Sequence, residues 1–181
     1  VLFIDDDEYA CPQWVRVLLS TLVELNVDGV FGAKSPIFNE TTPKWMMSSE
    51  LFYGSLAKTG SPGPKYTSNC IIKSSILSKV EGPFDPTYGI TGGEDTHLFD
   101  RLEALGARFV FCREAMVYEF LPTNRTTVSY LFFKGLRGGN SHTRRLIEFS
   151  GPWHLFVRLC MASKGLFYGG VSLLVMVLMF H

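Results

Sequence analysis

The sequence predicts an α/β fold, a mixed sheet flanked by helices on both faces. Three observations carry it. Apolar or loosely alternating runs of strand length recur at residues 1–4, 27–38, 66–72, 108–112 and 116–120. Stretches of helical period fall between them without strict alternation, which suits a mixed sheet with helices packed on it. Of the 181 residues, 46% are hydrophobic and 19% charged. That supports one domain with its own core and excludes a disordered tail, a collagen-like repeat or a disulfide-stapled miniprotein.

Residues 1–4, Val-Leu-Phe-Ile, are apolar throughout, which predicts a buried strand of the kind parallel sheets use. Four acids follow at once: Asp5, Asp6, Asp7 and Glu8. Residues 13–25 place Trp14, Val17, Leu18, Leu22 and Leu25 at helical spacing. The run 27–38 reads as a strand. Residues 41–63 mix aromatics with Gly, Pro and Ser and predict an irregular loop holding a short helix. A strand at 66–72 and a short helix near 74–80 come next. Glycines and prolines make 81–93 a loop. Residues 94–105 predict a helix about 18 Å long, with Leu98, Leu102 and Leu105 as its apolar stripe and Gly106 as its stop. Two strands, 108–112 and 116–120, precede an amphipathic helix at 126–137. Gly138-Gly139 is expected to end it, and another helical stretch runs to about residue 149.

Residues 165–180 carry no charge. As a helix they would extend about 24 Å, against about 30 Å for a bilayer core. Trp153, His154 and Arg158 suit an interface. Between residues 122 and 164, Arg125, Lys134, Arg137, Arg144, Arg145, Arg158 and Lys164 face one acid, Glu148, the bias of a segment at an anionic surface. The expected division is a domain at 1–150 and a membrane-associated or transmembrane helical segment at 151–181, at the cytoplasmic face of the membrane. A buried core helix is the alternative. Lys+Arg and Asp+Glu are 17 each, so no nucleic-acid partner is expected. The four cysteines are scattered, which predicts reduced thiols and a cytoplasmic setting. Both ends fall in apolar runs and no Met opens the chain, so a piece of a longer protein is expected.

Two acidic clusters carry candidate chemistry. Asp5 and Asp7 follow a strand, where ligands of open α/β sheets bind. Alternate carboxylates are hard oxygen ligands suited to Mg²⁺ or Mn²⁺, which takes the rest of its shell from water and phosphate. A solvated acidic turn is the plain alternative. Gly92-Gly93-Glu94-Asp95 opens the 94–105 helix. The glycines allow a tight turn, and the helix N-terminus favours the charged carboxylates. One of them could accept a proton from a hydroxyl; ordinary capping is the alternative. His97, one turn in, reads as a polar surface residue. Trp14, Trp45 and Phe52 could stack on a ligand, with core packing the plainer expectation.

In order, VLFIDDDE, TGGEDTHLFDRLEALGARFVFC, AMVYEFLPTNRTT and FFKGLRGGNS resemble the inverting glycosyltransferases of family 2, of GT-A fold. They are most similar to bacterial transferases that build exopolysaccharide or lipopolysaccharide. The resemblance covers about residues 1–140. It implies that Asp5 and Asp7 form the DxD motif holding a divalent metal and a sugar-nucleotide diphosphate, with Asp6 near the donor's ribose or sugar. It implies that Asp95 is the general base beside Glu94, and that Gly92 and Gly93 line the acceptor side. Glu119, Pro122 and Arg125 match an E-x-x-P-x-x-R pattern, and Arg137 with Gly139 an R-x-G segment near the donor phosphates. The Gln-x-x-Arg-Trp motif of processive synthases is absent, implying transfer of a single sugar. The family's nucleotide-binding first half would precede Val1.

The expected activity is therefore metal-dependent, inverting transfer of one sugar from a nucleotide-sugar donor, expected to be a UDP-sugar, to a glycan or lipid-linked hydroxyl acceptor. The rivals are a non-catalytic membrane-associated or carbohydrate-binding domain of the same fold, and a metal-dependent phosphohydrolase.

Overall fold

The computed structural model of the chain describes residues 1–48, 52–53, 57–89, 92–156 and 158–165. It divides into two compact units, Val1–Lys134 and Gly135–His181.

The first unit is built on a mixed five-stranded sheet. Its strands are β1 (Leu2–Ile4), β2 (Glu8–Ala10), β3 (Gly29–Phe38), β4 (Asn69–Ile72) and β5 (Phe109–Leu121), in the order β1-β4-β3-β5-β2. The long central strands β3 and β5 are parallel; β1, β4 and β2 join antiparallel. β4 accompanies only Gly29–Phe31 of β3. β3 and β5 therefore run on together past it, and their carboxyl ends form what is called below the upper end of the sheet. Helices α1 (Trp14–Glu24), α2 (Lys44–Met47), α3 (Ser74–Leu77), α4 (Glu94–Ala104) and α5 (Val128–Phe149) complete the regular elements.

Strand alternation sorts the core into two layers. Val30, Val110 and Val117 face Trp14, Leu18 and Leu22 of α1. Phe31, Ala33 and Phe111 face Leu98, Phe99 and Leu102 of α4 and Ile76 of α3. Helices cover both faces of the sheet, as the sequence predicts. Each fully buried large side chain contributes about 1.5–3 kcal/mol.

One polar residue sits at the centre of this core. Asn69 is fully buried. Its Oδ1 accepts from Trp14 Nε1 at 2.7 Å, and its Nδ2 donates to Ala33 O and Ala115 O at 2.8 and 2.9 Å. Those carbonyls flank the place where β5 bulges: Gly32 pairs with Cys112, but Ala33 pairs with Met116. Any Cβ at residue 32 would lie 2.3 Å from Ala115 O and 2.4 Å from the Asn69 amide, so the bulge requires glycine there. Trp14 is thereby a core residue, whereas Trp45 is exposed on α2.

Several local expectations are corrected. β1 is an antiparallel edge strand with Leu2 and Ile4 exposed; only Phe3 packs on the core. Four apolar residues in a row specify neither orientation nor position in the sheet. The expected strands at 108–112 and 116–120 are one bulged strand, β5. Leu105 is 53% exposed at the C-cap of α4, and Phe99 takes its place in the apolar stripe. Gly138-Gly139 does not end a helix. Both lie inside α5 without positive φ, because a glycine weakens a helix by about 1 kcal/mol without breaking it.

The second unit holds α5 from Gly135 onward, a 3₁₀ turn at Gly151–Trp153 and helical residues at 154–156 and 158–165. Leu136, Trp153, Leu155, Phe156 and Leu159 are all exposed there. Among the described residues no helix is long and apolar enough to cross a membrane, so the expected transmembrane helix finds no support there. The uncharged run in which it was expected lies, past residue 165, outside the described residues.

Candidate active site

Asp5, Asp6 and Asp7 form a turn between β1, at one edge of the sheet, and β2, at the other. The chain crosses the sheet here. Glu8 N–H donates to Asp5 O at 3.2 Å and closes the turn. All three aspartates are exposed. Glu8, the last of the acidic run, belongs to β2, and its side chain is buried in an ion pair with Lys34 of β3.

Lys34 is the hub beneath this turn. Besides Glu8 it pairs with Glu119 of β5 at 3.3 Å and donates to Ser68 Oγ at 3.2 Å. Burial opposes its charge, but hydrogen bonds and attraction from Glu8 and Glu119 outweigh burial and hold its ammonium above the ordinary lysine range. Burial likewise holds Glu8 above the usual carboxylate range despite Lys34.

Glu119 also accepts from Arg125 Nη1 at 2.9 Å, and the same nitrogen lies 3.3 Å from Asp7 Oδ2. The E-x-x-P-x-x-R pattern thus has a physical meaning. Glu119 stands on β5, Pro122 follows the end of the strand, and a 3₁₀ turn at Thr123–Arg125 brings the guanidinium back over the sheet. Arg125 then brackets Asp7 to the strand.

The second acidic cluster arrives from α4. Gly92 and Gly93 have φ of +72° and +96°, a left-handed turn that any other residue would strain. Glu94 and Asp95 stand in the first turn of α4, as the capping alternative also expects, and the N-cap Gly93 has no side chain to contribute. Asp95 accepts from Thr67 twice, from N–H at 3.1 Å and from Oγ1 at 2.8 Å. The strand-leading segment that carries Thr67 is stitched to α4 by further bonds. Thr96 Oγ1 donates to Lys65 O, and Lys65 Nζ pairs with Asp100 and Glu103 at 2.7 and 2.6 Å. Glu94 has a buried Oε2 that accepts no hydrogen bond among the described residues.

The two clusters share one electrostatic environment. Asp5 is held above the usual carboxylate range, first by burial, then by the charges of Asp7, Asp95 and Glu119, with Lys34 opposing them. The charge of Asp95, ninety positions away in sequence, thus reaches Asp5. A divalent cation is the chemistry that relieves such crowding, and Asp5 and Asp7 offer hard oxygen donors for it. Among the described residues no three His, Cys, Asp or Glu side chains are grouped to hold a metal. The donor set fits the mode in which one or two carboxylates and a phosphate share Mg²⁺, rather than an all-protein cage.

Comparison with known proteins gives one relative. The chain is 32% identical over 148 residues to the succinoglycan biosynthesis protein ExoM of Rhizobium meliloti (strain 1021). The match takes in 81% of this chain and 48% of ExoM. The chain thus spans about half the length of that curated relative. No family model matches the sequence, and no solved structure does.

The remaining expected residues fall as follows. Asp6 is exposed between its neighbours. Arg137 is exposed on α5, in the second unit. His97 is not a surface residue. It is 3% exposed and stacks on buried Tyr88, with ring centroids 4.5 Å apart, under the Gly92-Gly93 turn. All four cysteines are free, and burial pushes the Cys70 thiol well up. Sequence reasoning missed Lys34, Thr67 and the structural role of Glu8. A lysine within the mostly apolar run 27–38 was the available signal for Lys34; Thr67 left none.

Proposed function

We propose that this chain is part of a glycosyltransferase of cell-surface glycan synthesis, transferring one sugar from a nucleotide-sugar donor to a hydroxyl acceptor with inversion. The observation that carries this reading is the crowding of Asp5, Asp7 and Asp95 at one end of the sheet. Similarity to ExoM, named for succinoglycan biosynthesis, supports the glycan role, and the order of motifs supports the family 2 reading.

Asp5 and Asp7 would hold Mg²⁺ or Mn²⁺ together with the donor diphosphate, Asp6 standing beside them for the donor's ribose or sugar. The metal, when bound, would offset the charge that builds on the departing diphosphate. Thr67 keeps Asp95 oriented by donating to both of its oxygens. Asp95 then takes the proton from the acceptor hydroxyl as that oxygen attacks the anomeric carbon from the side opposite the diphosphate. Glu94, with an oxygen that accepts no hydrogen bond among the described residues, would accept from the acceptor. The backbone of Gly92 and Gly93 lets the acceptor approach closely, and Arg137 is assigned to the donor phosphates.

The acceptor is a glycan or a lipid-linked glycan, met at the cytoplasmic face of a membrane. Exposed Trp153, Leu155, Phe156 and Leu159 beside Arg158 and Lys164 support a helix lying at an anionic interface. The test is to incubate the whole protein carrying this chain with UDP-glucose or UDP-galactose, Mn²⁺ and a bacterial lipid extract. UDP release that depends on both metal and extract is expected. Orthophosphate release without any acceptor would favour a phosphohydrolase and overturn the reading.

A further inference from the structure

The upper ends of β3 and β5 enclose a cavity of about 620 Å³, lined by Asp7, Ile37, Phe38, Asn39, Glu40, Phe120, Leu121 and Pro122. The volume is that of a small-molecule site. We propose that this cavity binds a neutral saccharide; resting on the transferase reading above, it is the acceptor-sugar subsite.

Its walls are aromatic and braced. Phe120 is 61% exposed, yet its ring is held by Tyr9 at 5.9 Å, which in turn stacks on Tyr118 at 5.2 Å. On the other wall, Phe38 meets Phe52 and Tyr53 edge-on at 5.6 and 6.1 Å. A large ring kept exposed beside a concavity, and fixed by other rings, presents a ready face to a flat apolar surface. Asn39 is committed to the wall itself. Its Nδ2 donates to Thr123 Oγ1 at 3.2 Å, and its Oδ1 accepts from Thr41 N–H and Oγ1, both at 3.0 Å. The site is therefore preformed, which lowers the ordering cost of binding.

The polar lining selects the ligand. Asp7 and Glu40 are carboxylates that only accept hydrogen bonds; among the described residues no Lys or Arg lines the cavity, and the Arg125 guanidinium beside Asp7 is shared with Glu119. Phosphate and carboxylate ligands are repelled. The occupant must be uncharged, rich in hydroxyl donors, and still offer an apolar face to Phe120 and Phe38. A pyranose ring meets all three demands, since its C–H face stacks while its hydroxyls donate. An alkyl chain would satisfy the rings but leave both carboxylates facing hydrocarbon. Asp7 belongs both to this lining and to the acidic turn, so an occupant would hold its hydroxyls beside the proposed transfer site.

The test uses the whole protein carrying this chain, with cellobiose and gentiobiose as probes followed by saturation-transfer NMR, and with Mn²⁺–UDP binding measured separately by calorimetry. Saturable binding in the millimolar class is expected. Phe120→Ala should weaken it about tenfold and Glu40→Gln about threefold, while Mn²⁺–UDP binding stays unchanged. Both residues are exposed, so neither substitution threatens the fold. Absence of binding by both disaccharides at about 10 mM, equal binding by Phe120→Ala, or occupation by decanol in preference to either sugar overturns the proposal. If the sugars bind as expected but the wild-type whole protein takes up no Mn²⁺–UDP, the transferase reading fails and the acceptor assignment with it.

Discussion

Asp28 and Asp5 stand at opposite ends of one sheet, and their surroundings move their carboxyl groups in opposite directions. At the lower end, Asp28 accepts from Arg108 N–H at 2.9 Å and from Lys73 at 3.3 Å. Those partners hold its carboxyl below the usual range. At the upper end, Asp5 is pushed above that range by burial and by neighbouring carboxylates. The lower region satisfies its polar groups, as Asn69 does at the centre of the core. The upper region gathers Asp5, Asp7, Glu8 and Glu119 around Lys34 and Arg125, with the charge of Asp95 reaching Asp5, and leaves the charges unbalanced. The first arrangement stabilises the fold. The second stores unfavourable interaction that a bound cation and a hydroxyl substrate would relieve, which is how functional sites differ from cores.

The sharpest way to break this contrast is at Asp95. If the upper end works in the transition state, Asp95→Asn lowers turnover by about 10²–10⁴-fold with donor binding nearly unchanged. Steady-state kinetics of the whole protein at saturating donor measure it. A variant with near-normal turnover would reduce Asp95 to a fastener for Thr67.

Next comes the core between the two ends. Asn69→Ala strands Trp14 Nε1 and the carbonyls of Ala33 and Ala115 in the core. It should destabilise by about 4 kcal/mol, read from urea unfolding. Lys34→Ala, at the border of the two regions, leaves buried Glu8 without its cation. A loss of about 2–3 kcal/mol is expected at neutral pH. Because the folded state raises the Lys34 pKa, its contribution is fully present below the unfolded lysine value. It fades as pH rises through the folded value, so the wild type should lose stability at strongly alkaline pH and Lys34→Ala much less.

These residues also show what could be read from sequence. The strand 27–38 and the helix 94–105 were legible, because ten or more residues of consistent period leave few alternatives. The acidic turn was legible as a cluster. Its crossing from one sheet edge to the other was not, since no local pattern encodes which strands flank a turn. The bulge at Arg113–Ala115 was read as a break between strands, because the residue that fixes it, Asn69, comes from a different strand. His97 was misplaced for a similar reason: its partner Tyr88 lies in a glycine- and proline-rich loop that has no period.

The smallest effects carry opposite signs. Asp28→Asn should lower stability at pH 7 by about 1 kcal/mol, discounted for partial solvent exposure. The Asp28 contribution is present above the unfolded aspartate pKa and is lost as pH falls through the depressed folded value. Asp5→Asn, measured with chelator present, should raise stability by less than about 1 kcal/mol after screening. Its raised pKa means that ionisation works against the fold, so the gain should vanish on acidification. Thermal melts at neutral and acid pH check both signs, and equal signs would erase the distinction between the two ends.

The central claim is that the upper end of the sheet is a divalent-cation and diphosphate site. Isothermal titration of UDP into the whole protein, with and without Mn²⁺, tests it most directly. The account predicts binding that requires Mn²⁺, falls about tenfold or more in Asp5→Asn and Asp7→Asn, and persists in Asp95→Asn. UDP binding that is indifferent to Mn²⁺ and unchanged in both Asp5→Asn and Asp7→Asn would contradict it.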